Sequence, residues 1–143
     1  MEHDVSGTIT ALPAAARSTR LTRWGGLTCV AIGLGHSVIG LAVAGRHWPG
    51  WITGDLWWGI GSPGMLESKL AFWSVPGSFV VPLILLGLMA VGRAREGRAL
   101  PGYVGWTMLT WAAFGAYIGF PTGFLLVLVP ATLFILDGRR RAD

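Results

Sequence analysis

The residues best suited to chemistry lie in one stretch of the chain, from Arg46 to Trp73. It contains five of the eight tryptophans, one of the three histidines, the only lysine and two acids, Asp55 and Glu67. His36 precedes it inside an apolar run. A carboxylic acid whose pKa is raised by burial can donate a proton, and a neutral imidazole can accept one. Glu67, Asp55 and His36 are therefore the predicted catalytic residues.

Aromatic side chains would form the wall of such a site. Each well-placed ring stabilises a positive charge by about 0.5 to 2 kcal/mol, and flat apolar molecules stack on the same rings. Ser74 joins this wall because it shares a predicted helical face with Glu67. The predicted substrate-binding residues are Trp57, Trp58, Trp73, Trp111, Tyr117 and Ser74. The alternative is a belt of interfacial residues, since tryptophan is enriched where a membrane meets water.

Each predicted catalytic residue also has a structural interpretation. His36 would need a partner at membrane depth, such as a carbonyl or hydroxyl group of a neighbouring helix. Glu67 is electrostatically favoured near a helix N-terminus, with Ser62 as the N-cap and Pro63 in the first turn. Asp55 suits a turn. The sequence leaves both interpretations open at all three positions.

Four apolar runs must position these residues. The 143-residue chain is 52% hydrophobic and 13% charged, whereas about a quarter of the residues in a soluble domain are charged. Apolar runs of about 17 to 25 residues cross a bilayer as helices. The runs lie at about 24–44, 70–92, 103–120 and 124–136. The predicted fold is all-α, a transmembrane four-helix bundle at 24–136 with a disordered tail at 1–23, a Trp-rich loop between helices 1 and 2, and a basic tail at 137–143.

Arginine residues set the predicted orientation. Three precede the first run, three lie between the second and third, and three follow the fourth. The opposite side has only Arg46 and Lys69. The positive-inside rule places both termini in the cytoplasm and the Trp-rich stretch on the outer face. A cleaved signal peptide ending at 42–44 is the alternative, but the first run exceeds the usual signal core of about 7 to 15 residues.

Small residues recur along the first run and predict close helix packing. Gly25, Cys29, Gly33 and Ser37 are four residues apart and form a ridge that another helix can approach. Its predicted partner is the second run, the fourth run or a second copy of the chain in a homodimer. The second run contains Pro76 and Pro82, which predict a kink. The turn at 119–123 is short, so the third and fourth runs are predicted to be antiparallel.

Other classes of function lack a sequence signal. The arginines flank apolar runs, so topology explains the net charge of +4 better than nucleic acid binding does. The sequence has no glycine-rich nucleotide motif and no Cys/His metal pattern. We therefore expect no cofactor and no metal. The predicted partners are the lipid bilayer and a lipophilic small molecule.

A set of glycine, tryptophan and proline positions carries a family resemblance. The positions are Trp24-Gly25, Gly33, Gly35-His36, Gly40, Trp51, Phe72-Trp73, Leu100-Pro101, Gly105-Trp106, Pro121 and Gly123-Phe124. This pattern resembles a family of small bacterial four-span membrane proteins classed as a domain of unknown function. The resemblance covers about 24–136 and implies the four-span fold, in a bacterial cytoplasmic membrane. It implies no activity and no catalytic residues.

Three functions are consistent with these residues. The first is a membrane-embedded enzyme that acts on a lipophilic small molecule by acid/base chemistry in an aromatic-lined pocket, as an isomerase, cyclase or epoxide-opening enzyme. The second is a small dimeric exporter of lipophilic cations. Such an exporter is expected to carry a coupling carboxylate near the membrane midplane, where the sequence offers only His36. The third is a non-catalytic accessory or ligand-binding membrane subunit.

Overall fold

A computed structural model of the chain describes residues 19–57 and 65–140. This part of the protein is helical and contains no strand, which confirms the all-α prediction. A short 3-10 turn at Gly45–His47 follows the first helix. The α-helices are α1 (Arg20–Val43), α2 (Trp48–Thr53), α3 (Leu66–Ser74), α4 (Val80–Arg95), α5 (Gly102–Ile118) and α6 (Phe124–Arg139).

The second apolar run forms two helices rather than one kinked helix. α3 ends at Ser74 and α4 begins at Val80. Pro76 lies between them, and proline both lacks an N–H group and disfavours helical geometry at the preceding residue. Val75 accordingly has φ −126° and ψ −87°. Pro82 falls in the first turn of α4, where a missing N–H costs no helical hydrogen bond.

Antiparallel neighbours pack through glycine. α1 packs against α4 and α6, and α5 packs against α6. A Cβ atom on Gly26 of α1 would lie 2.6 Å from the carbonyl oxygen of Gly87 in α4, so the two backbones are in direct contact. A Cβ atom on Gly105 of α5 would lie 2.9 Å from the backbone nitrogen of Ile135 in α6. Only small residues allow helices to approach this closely.

The predicted ridge of small residues packs inside the chain. Gly25, Cys29 and Gly33 are buried. Gly25 faces the ring of Phe134 in α6, and Gly33 faces Ile84 in α4. The ridge therefore contacts both the second and the fourth apolar segments. A homodimer stays a prediction, and with this ridge covered it would need a different surface.

Polar contacts join the helices at the end of the bundle where the arginines lie. The Thr22 hydroxyl of α1 donates a hydrogen bond to the Asp137 carboxylate of α6, and both side chains are buried. The Thr19 hydroxyl, just before α1, donates to the carbonyl oxygen of Ala94 near the end of α4, at 2.8 Å. These contacts fix the start of α1 between the ends of α4 and α6.

One helix in the described part of the chain is long and apolar enough to cross a membrane. It is α1, whose 24 residues extend about 36 Å at 1.5 Å per residue. A single helix of this kind near the N-terminus is weak evidence, because signal sequences share its length and composition. α4, α5 and α6 have 16, 17 and 16 residues, at or just below the lower end of the range of about 17 to 25 that crosses a bilayer. The four-span arrangement therefore stays a prediction.

Candidate functional site

A groove of about 480 Å³ lies between the last turns of α1 and the length of α3. Its polar lining consists of His36, Arg46, His47, Glu67 and Ser74. The remaining wall is almost entirely aliphatic and includes Ile39, Val43, Leu70 and Val75. We call this the α1–α3 groove. Its combination of apolar walls with a few converging polar groups is typical of small-molecule sites.

Three contacts hold α3 antiparallel to the end of α1. Arg46 and Glu67 form an ion pair at the open end. Further in, the Val75 side chain fills the space beside Gly40, where a Cβ atom would come within 2.5 Å of it. Next, His36 bonds to the backbone of Ser74. The wall of the groove is therefore fixed at both ends.

His36 is half-buried and has a defined partner. Its Nε2 atom lies 2.8 Å from the carbonyl oxygen of Ser74. Ser74 is the last residue of α3, so its carbonyl oxygen accepts no hydrogen bond from within the helix. A carbonyl oxygen only accepts hydrogen bonds, so Nε2 carries the proton. In the neutral imidazole, Nδ1 is then the unprotonated nitrogen and can accept a proton. The structural interpretation of His36 is what the structure shows, and its catalytic role stays a prediction.

Glu67 and Arg46 face solvent from the two sides of the groove. Their side chains are 67% and 68% exposed, respectively. A carboxylate that accepts a hydrogen bond from a guanidinium group is ionised and has no proton to donate. Exposed ion pairs contribute only about 0 to 1 kcal/mol. Arg46 can therefore exchange Glu67 for an oxygen atom of a ligand at little cost.

Asp55 lies outside the α1–α3 groove, in the turn that ends α2. Gly54 adopts φ +85°, and the Asp55 N–H donates to the carbonyl oxygen of Gly50 at 2.9 Å. The Asp55 carboxylate accepts a hydrogen bond from the Thr53 hydroxyl at 3.1 Å. Asp55 is exposed. Its turn interpretation is thus the one that the structure shows.

Two of the predicted wall tryptophans line a different groove. Trp57 and Trp73 border a space of about 500 Å³ with Trp51, Phe72 and Lys69, which we call the tryptophan groove. Among the described residues that line it, Lys69 is the charged one and none is an acid. Trp58 lies outside the described residues.

Trp111 reaches His36 only through another ring. It packs edge-on against Phe79 and Phe124, with ring centroids 5.0 and 4.9 Å apart. The Phe79 ring in turn lies 5.6 Å from the His36 ring. Tyr117 is 86% exposed and does not contribute to the lining of the α1–α3 groove. Of the five predicted wall residues that the structure describes, Ser74 is the one that lines a groove with Glu67 and His36.

His36 also borders a second groove, of about 540 Å³, on its other side. This α1–α6 groove is lined by Ile32, Phe79, Thr122, Phe124 and Leu126, among others. The second groove is even more apolar in character, with the Thr122 hydroxyl and the His36 ring as its polar side chains. His36 therefore separates two spaces that each suit a hydrocarbon group.

Sequence reasoning missed Arg46 as a site residue. It was interpreted as a charge that reports orientation, whereas it pairs with Glu67 across the groove. The available signal was that Arg46 and Lys69 are the only basic residues on their side, facing the acids Asp55 and Glu67. Within the described segments, no three His, Cys, Asp or Glu side chains come together as a metal site would require.

Comparison with known families matches residues 20–141 to a family described as "Family of unknown function (DUF6463)". This match confirms the predicted resemblance to a family of unknown function. Neither the curated proteins nor the solved structures contain a match to the chain.

Proposed function

The chain belongs to DUF6463, a family of unknown function, so we propose an activity from the chemistry of the α1–α3 groove itself. The protein is a membrane-embedded enzyme that moves a proton within a lipophilic small molecule, as an isomerase does. One observation carries this proposal. An imidazole whose Nε2 is held by a backbone carbonyl lines the same apolar groove as an exchangeable guanidinium group.

The groove suits a molecule with a hydrocarbon body, an oxygen-bearing group at one end and an unsaturated carbonyl group further along. Its volume of about 480 Å³ falls in the range of small-molecule sites, roughly 300 to 1,000 Å³. The aliphatic walls at Ile39, Val43 and Leu70 favour apolar contact. Arg46 offers several N–H donors to a carbonyl or carboxylate oxygen. The ligand would therefore lie along α1 with its oxygen at Arg46.

The proposed reaction needs no co-reactant. In a ligand that has a carbon–carbon double bond one carbon removed from a carbonyl group, His36 Nδ1 removes a proton from the carbon between the two groups, and the electron pair of the broken C–H bond moves to the carbonyl oxygen as a dienolate. Arg46 lies at the other end of the groove, where it would hold the ligand's terminal oxygen-bearing group, and Glu67 orients Arg46. The proton then returns from His36 to the far carbon of the original double bond, and the electron pair moves back from the oxygen, so the double bond comes into conjugation with the carbonyl group and the enzyme is restored.

The arrangement of groups favours isomerisation over cyclisation or epoxide opening. Those two reactions need a neutral carboxylic acid as the proton donor. Glu67 accepts a hydrogen bond from Arg46 as an ionised carboxylate, and Asp55 lies outside the groove. The tryptophan groove contains Lys69, whose charge would repel a lipophilic cation, so the exporter alternative has less support. The remaining alternative is a subunit that binds the ligand without turnover, and the experiment below distinguishes it from an isomerase.

Placement in a membrane is part of the same proposal. The chain would cross the bilayer four times, with both termini in the cytoplasm of a bacterium. The four antiparallel segments are α1, then α3 and α4 together, then α5, and finally α6. Contacts of Thr19 with Ala94 and of Thr22 with Asp137 support this, because they join the arginine-rich ends of three segments. Further support comes from large apolar side chains that the bundle leaves exposed. Among them are Val38, Val43, Leu85, Leu88, Met89, Phe114 and Ile118.

Proton exchange with solvent tests the proposed reaction without a known substrate. The full chain in lipid nanodiscs is incubated in D2O with a total lipid extract of the source membrane, and mass spectrometry follows deuterium uptake into extracted molecules. We expect one lipophilic species to gain deuterium. His36→Gln should lower the rate by about 100-fold or more, the lower end of a general base contribution. Arg46→Gln should lower it through weaker binding of the ligand's oxygen-bearing end.

Asp55→Asn is the matched control, because it changes an exposed acid of the same stretch that lies outside the groove. It should leave the exchange rate unchanged. Equal exchange in the native chain and in His36→Gln would refute the role of His36. A molecule that co-purifies with the chain but never gains deuterium would indicate a ligand-binding subunit.

A further inference from the structure

A separate cavity lies at the arginine-rich end of the bundle, far along the chain from the α1–α3 groove. It has a volume of about 380 Å³ and lies where the loop after α4 meets the start of α5. Arg93, Arg98, Leu100, Pro101 and Gly102 line it. The cavity is therefore bordered by two guanidinium groups, and the described residues that line it include no acid.

The loop geometry holds both arginines at this cavity. Gly97 adopts φ +71°, a left-handed conformation that reverses the chain after α4. The Arg98 N–H then donates to the carbonyl oxygen of Arg93 at 2.8 Å, which brings the two backbones together. Asp137, the nearest acid in sequence to the lining residue Gly138, is buried and accepts its hydrogen bond from Thr22 of α1.

The guanidinium of Arg93 has an unmet hydrogen-bonding need. Its Nε atom is buried and has no partner among the described residues. A buried donor without an acceptor is costly. No ion pair of Arg98 occurs in the described part of the chain either. That Nε atom is covered by protein, so an oxyanion in the cavity would be bound by the terminal N–H groups of the two guanidinium groups.

The start of α5 adds further donors. Pro101 precedes α5 and lacks an N–H group, and no side chain caps the helix. The N–H groups of Gly102 and Tyr103 therefore lack helical acceptors, whereas the Val104 N–H donates to the carbonyl oxygen of Pro101. The helix dipole favours an anion at this end. A Cβ atom at Gly102 would meet nothing within 4 Å, so the approach to this backbone is open.

We propose that the cavity between Arg93, Arg98 and the N-terminus of α5 binds a phosphate group, and that its source is the headgroup of an anionic phospholipid. Basic cavities at the cytoplasmic ends of membrane helices bind such headgroups. Exposed apolar side chains next to the loop, on Tyr103 and Trp106, suit contact with the acyl chains. Inorganic phosphate shares the same chemistry and is the other source to be distinguished.

Lipid binding by the full chain in detergent, measured by native mass spectrometry, tests the proposal. The probes are phosphatidylglycerol, diacylglycerol, which lacks the phosphate, and inorganic phosphate alone. Arg98→Gln should weaken phosphatidylglycerol binding by about tenfold, the effect of losing one charge-assisted hydrogen bond. Arg95→Gln is the matched control, since Arg95 is exposed in the same segment and does not line the cavity.

The three probes give distinct outcomes. Tighter binding of phosphatidylglycerol than of diacylglycerol, lost in Arg98→Gln and kept in Arg95→Gln, supports a headgroup site. Binding of inorganic phosphate with the same dependence on Arg98 supports a phosphate site and assigns it to the free anion. Equal effects of Arg98→Gln and Arg95→Gln, or equal binding of the two lipids, would overturn the proposal. Because Arg98 is exposed, its variant should fold even where Arg93→Gln does not.

Discussion

Replacing Gly26 by alanine should separate α1 from α4. The added Cβ atom would lie 2.6 Å from the carbonyl oxygen of Gly87 and 2.9 Å from the Cβ of Ala90. Ordinary contacts begin at 3.4 Å, so the helices would have to move apart by about 0.8 Å, the difference between these distances. The nearest obstacle is backbone, which cannot rotate away as a flexible side chain does. Overpacked cores lose about 1 to 3 kcal/mol, and we expect about 3 kcal/mol here.

A glycine nine residues further along α1, Gly35, provides the control. A Cβ atom at Gly35 would meet nothing within 4 Å. Gly35→Ala should therefore leave the free energy of unfolding unchanged or raise it by about 0.5 to 1 kcal/mol, because alanine loses less backbone entropy in a helix. Both variants change the same residue type in the same helix. The difference between them isolates the contact with Gly87.

Reversible unfolding of the chain in mixed micelles, followed by helical circular dichroism, measures both values. The expected result is a loss of about 3 kcal/mol for Gly26→Ala relative to Gly35→Ala. A second variant, Gly87→Ala, should show a similar loss, since its Cβ atom would lie 2.6 Å from the carbonyl oxygen of Gly26. If Gly26→Ala and Gly35→Ala unfold alike, the backbone contact between α1 and α4 does not exist as described.

Two further predictions concern the arginine-rich end of the bundle and the topology. Thr22→Val removes the hydroxyl that donates to the buried Asp137 and should lower the free energy of unfolding by about 2 kcal/mol. Thr28 is half-buried and its hydroxyl bonds within its own helix, so Thr28→Val should lower the free energy of unfolding by less, and equal losses would argue against the Asp137 contact. For the topology, a membrane-impermeant thiol reagent added to intact cells should label Gly45→Cys but not Arg140→Cys. Labelling of Arg140→Cys without Gly45→Cys would show that the chain has the opposite orientation. The one native cysteine is buried.

The sequence was sufficient to predict three of the helical segments, α1, α5 and α6. Apolar runs and short turns locate α1, α5 and α6 to within a few residues. The break at Pro76 was predicted only as a kink. Whether a proline bends or ends a helix depends on what satisfies the carbonyl groups freed before it. Here one of them, on Ser74, is taken by His36 from another helix, and no local pattern records that contact.

Helical periodicity explains why the predicted acids and tryptophans separate. Glu67, Ala71 and Ser74 are spaced four and three residues apart, so they share one face of α3, and all three line the α1–α3 groove. Lys69 and Trp73 share a different face of the same helix and line the tryptophan groove. Closeness in the chain predicts one aromatic pocket. Because each residue of a helix is rotated by about 100° from the one before, the predicted residues instead line two grooves, the α1–α3 groove and the tryptophan groove.

Long-range pairs were beyond the reach of the sequence. Thr22 and Asp137 lie at opposite ends of the described chain, and each is unremarkable in its local context beside arginines. Their contact follows from the packing of α1 against α6, which the ridge at Gly25 allows. The pairing of Arg46 with Glu67 likewise depends on α3 folding back along α1. To predict such contacts, one must know how far each helix is shifted along its neighbour, and small residues alone do not specify that register.

The most direct test of the α1–α3 groove is a crystal structure of the chain grown from a lipid phase that contains the source membrane extract. The account predicts an elongated apolar molecule between α1 and α3, with an oxygen atom within hydrogen-bond distance of Arg46 and with His36 still bonded to Ser74. Closure of α3 onto α1 without a cavity would contradict it. So would a bound molecule that occupies the tryptophan groove and leaves the α1–α3 groove without a ligand.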